Sequence, residues 1–142
     1  MIPQPPLLLH ATCVAADGRG LLILGPSGSG KSALALQMMA HGARLVADDQ
    51  VQLSLHNGAL TARCPAALSG LIEARGLGVL RADPLPEAVV HLAVDLAQAD
   101  VARLPEHHEI VFLGQRIDLV QPPPTAHLPA ALLLYLRGGR VA

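Results

Sequence analysis

Leu21-Leu22-Ile23-Leu24-Gly25-Pro26-Ser27-Gly28-Ser29-Gly30-Lys31-Ser32 decides the fold: an apolar run leads into a glycine-rich loop of the form Gly-x-x-x-x-Gly-Lys-Ser. Helix-forming residues (Ala, Leu, Gln, Met) then extend from Lys31 to His41, and Gly42 is placed to cap them. Strand, loop and helix in that order separate a phosphate-binding loop from a chance match to the same letters. Glycines let successive backbone N–H groups curl around an oxyanion with no Cβ in the way. The helix N-terminus adds unpaired N–H groups and about half a positive charge. Lys31 supplies a point charge for β- and γ-phosphates, and the Ser32 hydroxyl a ligand for Mg²⁺. Gly25, Pro26, Ser27, Gly28, Ser29, Gly30, Lys31 and Ser32 are therefore expected to hold ATP with Mg²⁺, and the same loop would take phosphate or pyrophosphate.

On either side of the loop the turn chemistry predicts hairpins. Leu7 to Ala16 reads as one extended apolar run, Asp17-Gly18-Arg19-Gly20 as a tight turn, and Leu21 to Leu24 as the returning arm. Arg44 to Ala47 is a short strand ending in Asp48-Asp49. Val51 to His56 and Ala59 to Arg63 flank Asn57-Gly58, a strong hairpin signal. Leu71 to Val79 is apolar but broken by Glu73, Arg75, Gly76 and Gly78, which marks a bulge or a site. Val89 to Leu96 alternates as a strand, and Ile110 to Leu113 and Arg116 to Val120 flank Gly114-Gln115 as a third hairpin. His127 to Arg137 reads as a closing helix stopped by Gly138-Gly139. The expected fold class is mixed α/β (α+β), a single P-loop domain over residues 1–142 with mixed sheets around the P-loop helix.

Composition narrows the function. Phe112 and Tyr135 are the only aromatic residues, so the base-stacking platforms of single-stranded nucleic-acid binders are missing. Lys31 is the only lysine and the net charge is −1, which leaves no basic footprint for nucleic acid or an anionic membrane. Cys13 and Cys64 fit neither a metal-ligand spacing nor a disulfide framework and are expected as small apolar residues in strands. Pro3 stands where a signal peptide would carry a basic start, and no apolar run approaches the ~20 residues of a membrane span, so the expected location is cytoplasmic. A chain 51% hydrophobic and 15% charged would expose aliphatic surface as a monomer, so a homo-oligomer is expected.

The acidic residues carry the chemistry. Asp48-Asp49 closes a strand where a parallel neighbour of the loop strand would set carboxylates beside the γ-phosphate and its metal. Adjacent strand residues point to opposite sides, so one aspartate faces the phosphates and the other does not, unless the strand end twists both toward the cleft. One base and one supporting group is the expectation. Glu73 either provides a second carboxylate for Mg²⁺ or pairs internally with Arg75. His10, a lone histidine on an apolar strand, reads by composition as a hydrogen-bonded core residue. The remaining histidines, His107-His108 in an acidic polar loop among them, show no metal-ligand pattern and no zinc is expected.

Leu9-His10, Gly25 to Ser32, Gly42-Ala43-Arg44-Leu45-Val46-Ala47-Asp48-Asp49-Gln50-Val51 and Leu71-Ile72-Glu73-Ala74-Arg75-Gly76-Leu77-Gly78-Val79 resemble four successive motifs of the HPr kinase/phosphorylase family. The resemblance covers roughly residues 1–80, and the last two motifs are not shared with P-loop proteins at large. It implies a fold related to phosphoenolpyruvate carboxykinase, and an ATP-dependent serine kinase acting on the phosphocarrier protein HPr or an HPr-like protein. It also implies the reverse phosphorylase reaction and the short form of the family. In its terms Asp49 is the proton acceptor with Asp48 in the same cluster, His10 assists, and Lys31 holds the transferring phosphate. Ser32 and Glu73 hold Mg²⁺. Ala11 and Ala33 stand where the family usually has a glycine and an acidic residue, and the family's later arginine-bearing loop is not recognisable. The alternative is a nucleotide-sensing regulator that binds ATP and signals through a protein partner.

Overall fold

The computed structural model describes residues 5–142; residues 1–4, which include Pro3, lie outside them. In chain order the elements are β1 (Leu7–Leu9), β2 (Thr12–Ala16), β3 (Arg19–Leu24), α1 (Lys31–Ala40), β4 (Arg44–Ala47), β5 (Val51–His56) and β6 (Ala59–Arg63). A 3₁₀ turn (Ala66–Leu68) leads to β7 (Leu71–Ala74), β8 (Gly78–Arg81), β9 (Glu87–Asp95), β10 (His108–Phe112), β11 (Gln115–Val120) and α2 (Leu128–Gly138).

Strands β1-β5-β6-β9-β3-β2-β4 form one path of a curled sheet, with β10 and β11 branching from β9. The sheet is mixed. β9 runs parallel to β3 and to β11 and antiparallel to β6, and the remaining pairs are antiparallel. The mixed α/β class predicted from the sequence is the class observed. β7 and β8 make a separate two-stranded sheet.

Strand alternation divides the apolar residues between two cores. Val14, Leu21, Ile23, Leu45, Leu92 and Val94 face one way and are covered by α1 through Leu34 and Met38 and by α2 through Leu132 and Leu136. Cys13, Ala15, Leu22, Val46, Val51, Leu53 and Ala93 face the other way and are enclosed by the curl of the sheet itself. The central strands are therefore buried on both faces, which is why their sequences read as unbroken apolar runs. Each fully buried Leu or Ile contributes roughly 1.5–3 kcal/mol relative to an exposed one, so the platform under the glycine-rich loop is strongly held.

Four sequence expectations change. The run Leu7 to Ala16 is two strands, because His10 and Ala11 mark the point where the chain leaves β5 and joins β3 and β4. Leu71 to Val79 is a hairpin turning at Arg75-Gly76-Leu77, with Leu77 N–H donating to the Ala74 carbonyl. β4 is not the neighbour of the loop strand: β2 lies between them, antiparallel to both. Cys64 lies just past β6, half-buried, whereas Cys13 is in β2 as expected and buried.

Candidate active site

The loop Gly25 to Gly30 joins the end of β3 to the start of α1, and its shape is set by backbone that only glycine adopts cheaply. Gly25 has φ 148°, and a Cβ added there would lie 2.4 Å from Ser29 Oγ. Gly30 caps α1 in the left-handed region with no side-chain capping bond, so among the described residues no side chain satisfies the first-turn N–H groups of the helix. The Ser29 hydroxyl is buried with no hydrogen-bond partner among the described residues. Lys31 is buried and folds along the loop, its ammonium donating to the Gly25 carbonyl at 2.7 Å and the Pro26 carbonyl at 3.1 Å.

Asp48 and Asp49 are separated by a tight turn at the end of β4. Asp49 has φ 70°, and Gln50 N–H donates to the Asp48 carbonyl at 2.8 Å. This turn sends the two carboxylates into different surroundings. Asp48 points inward and is buried, its Oδ1 accepting from Ser32 Oγ (2.7 Å) and Thr12 Oγ1 (2.9 Å) and its Oδ2 from Glu73 N–H (3.0 Å). One carboxylate thus ties together α1, β2, β4 and β7. Asp49 stays exposed and lies 3.2 Å from His10 Nδ1, while His10 Nε2 lies 3.3 Å from Ser27 Oγ.

These groups surround a cavity of about 650 Å³ lined by His10, Ser27, Lys31, Ser32, Asp49 and Glu73, with Thr12 and Arg75 also on its wall. Of the residues expected from the sequence, His10, Ser27, Gly28, Gly30, Lys31, Ser32, Asp49 and Glu73 line this cavity and Asp48 is bonded to Ser32 on its edge, whereas Gly25, Pro26 and Ser29 do not line it. His10 sits at the break between β1 and β2 rather than in the core, which overturns the core reading that composition favours. Glu73 and Arg75 form no ion pair among the described residues, so the internal-pair alternative fails and the Glu73 carboxylate remains available to the cavity.

Thr12 is the member the sequence reading missed. It is buried and donates to Asp48, and its only sequence signal is a polar residue inside an apolar run two positions after His10. Cys64 lies in the field of the site: burial first, and the Asp48 charge second, push its thiol above the ordinary value. Away from the cavity, His107 belongs to a cluster rather than a free loop, its Nε2 lying 3.2 Å from Asp118 Oδ1 with Glu109 close by.

The donor set facing the cavity is one of hard oxygens (Ser32 hydroxyl and Glu73 carboxylate), with Asp48 bonded to Ser32, beside an uncapped helix start. That chemistry fits Mg²⁺ and a polyphosphate. Fold and cavity thus define a mixed α/β domain in which polar groups from several strands gather beside one glycine-rich loop. The profile of the HPr Serine kinase C-terminal domain matches residues 5–85, and the chain belongs to that family.

Among relatives, the HPr kinase/phosphorylase of Aromatoleum aromaticum is 42% identical over 114 residues, covering 71% of this chain and 36% of that protein. That of Bordetella pertussis is 39% identical over 113 residues, covering 71% and 37%. The chain therefore spans about a third of the length of the curated relatives it matches. The solved structure described as the Hpr(Ser) kinase/phosphatase from Coxiella burnetii superimposes with a TM-score of 0.80 at 27% identity, covering 92% of this chain and 88% of that one. Among the described residues no helix is long and apolar enough to cross a membrane.

Proposed function

We propose that this chain is a single catalytic domain that transfers the γ-phosphoryl group of ATP to a serine hydroxyl of HPr or an HPr-like phosphocarrier. The observation that carries the reading is the arrangement around one cavity. The Asp49–His10 pair and the Ser32–Asp48 pair both flank the loop that carries Lys31. In that arrangement the loop N–H groups and Lys31 bind the phosphates, Lys31 exchanging its carbonyl partners for phosphate oxygens. Ser32 and Glu73 would hold Mg²⁺, with Asp48 fixing Ser32; when bound, the ion neutralises charge on the polyphosphate. Asp49 accepts the proton of the serine hydroxyl as its oxygen attacks phosphorus, and returns it when the direction is reversed with phosphate as acceptor and pyrophosphate as product. Positioning and charge neutralisation provide most of the acceleration in such transfers.

The exposed Leu77, Val79 and Leu134 support assembly into a homo-oligomer, and the reading belongs to a cytoplasmic protein. The test is to incubate the protein with Mg-ATP and HPr from the same cell and follow the carrier's mass. One added phosphate is expected, slowed about 10²–10⁴-fold by Asp49→Asn, the usual contribution of a general base. Equal transfer by wild type and variant would remove Asp49 from the role. Binding of Mg-ATP with no transfer would replace the kinase by a nucleotide-sensing regulator.

A further inference from the structure

Asp49, His10 and Ser27 come from three separate parts of the chain and meet in a line: carboxylate, imidazole, hydroxyl. The side chains of His10 and Asp49 are 51% and 63% exposed, so packing does not hold the ring, and its orientation depends on what its two nitrogens bond. A neutral imidazole has one N–H and one bare nitrogen, and a carboxylate only accepts. The N–H therefore belongs on Nδ1, facing Asp49 Oδ1, and Nε2 must accept the Ser27 hydroxyl proton. The opposite tautomer would set the lone pairs of Nδ1 and Oδ1 against each other.

We propose that Ser27 is a positioning residue: its hydroxyl holds the His10 ring so that Nδ1–H fixes Asp49, making the phosphate loop and the proton acceptor one unit. The inference rests on the reading of Asp49 as the base. With Oδ1 tied to Nδ1–H, Oδ2 is the oxygen that takes the acceptor proton. As the bond from the acceptor oxygen to phosphorus forms, the bond from phosphorus to the leaving oxygen of ADP breaks and its electron pair stays on ADP. The proton moves to Oδ2, and Nδ1–H remains on His10 throughout. A shift of the loop that moves Ser27 turns the ring and with it the carboxylate, so proton acceptance follows the seating of phosphate.

The test is ¹⁵N–¹H correlation of the His10 ring in the full chain with no nucleotide added, at a pH where the ring is neutral, for wild type, Ser27→Ala and Ser27→Thr. Wild type is expected to show a protonated Nδ1 and a hydrogen-bonded Nε2. Ser27→Ala should move the Nε2 resonance and draw the two nitrogen shifts together, and Ser27→Thr should restore them. In transfer assays Ser27→Ala should lower kcat about 10-fold or more with the KM for the carrier unchanged, as expected of a misaligned base, and Ser27→Thr should recover most of it. Ring signals unchanged by Ser27→Ala would overturn the proposal even if activity fell, because a hydroxyl acting only on phosphate would raise the KM for ATP and leave the ring alone. If the ring responds as expected but the wild type transfers nothing, the Ser27–His10–Asp49 alignment stands and the kinase reading fails.

Discussion

Asp48→Asn isolates what one buried carboxylate does for this domain. Asp48 accepts three hydrogen bonds, two at Oδ1 from Ser32 and Thr12 and one at Oδ2 from the Glu73 N–H. An asparagine oriented to keep the Oδ1 bonds presents an NH₂ group to the Glu73 N–H, two donors face to face. The lost bond and the unpaired N–H cost about 1–3 kcal/mol. The two retained bonds lose charge assistance, roughly half their strength, for about another 0.5–1 kcal/mol each. Removing a charge from a residue only 6% exposed offsets part of this, so the net expectation is about 1–3 kcal/mol of destabilisation. For a chain of this size each kcal/mol is worth about 4 °C, which gives a Tm lower by about 4–12 °C and a lower urea midpoint with the slope unchanged. Glu73→Ala is the control. It removes a carboxylate but keeps the backbone N–H on Asp48, so stability should stay within about 0.5 kcal/mol. An Asp48→Asn protein as stable as wild type would show that relief of the buried charge outweighs the bonds, and that Asp48 does not tie α1, β2 and β7 together.

Two further outcomes follow from the loop and the core. Gly25→Ala places a methyl 2.4 Å from Ser29 Oγ at a φ of 148°, so calorimetry should show pyrophosphate affinity falling at least about 10-fold, with about 1–3 kcal/mol of backbone strain; unchanged affinity would mean the loop does not hold phosphate in this shape. Burial pushes the Cys13 thiol up from 9.0 to about 12, so the folded state keeps a proton that the unfolded chain releases. The resulting stability is fully present below pH 9 and is lost as pH rises toward about 12, with a slope approaching about 1.4 kcal/mol per pH. Denaturant titrations of Cys13→Ala should lack that part of the alkaline decline, and identical slopes in both proteins would refute the assignment.

The legibility of this chain tracks how local its signals are. α1 and the β5–β6 hairpin are readable because Gly42, at φ 104°, and Asn57-Gly58, both at positive φ, fix ends and turns within a few residues. The split between β1 and β2 is not, since an unbroken apolar run says nothing about where a strand changes partners. The position of β2 between β3 and β4 is equally silent, because strand order is a long-range property. At the site the loop, the aspartate pair, His10 and Glu73 are legible as candidates because they lie in family motifs. That one aspartate faces the cleft and the other supports it is expected from strand alternation, but what separates them is not, because it depends on the turn at Asp49 and on Thr12, separated from Asp48 by 36 positions. The contact between Ser27 and His10 joins segments that share no sequence signal, and only the folded chain reveals it.

β9 pairs along its length with β3 on one edge and with β6 and β11 on the other, so the strand that holds up the glycine-rich loop leaves the ribosome well after the loop itself. Leu24, the residue before the loop, finds its partner in Asp95, about seventy residues later in synthesis. Until that stretch has emerged, the apolar backs of Leu21, Leu22 and Ile23 lack one wall of their sheet. The nascent chain therefore carries its complete loop motif long before it has a site. Pausing, truncation or chaperone release between residues 32 and 87 would yield polypeptides that contain the whole loop motif without the strand that supports it.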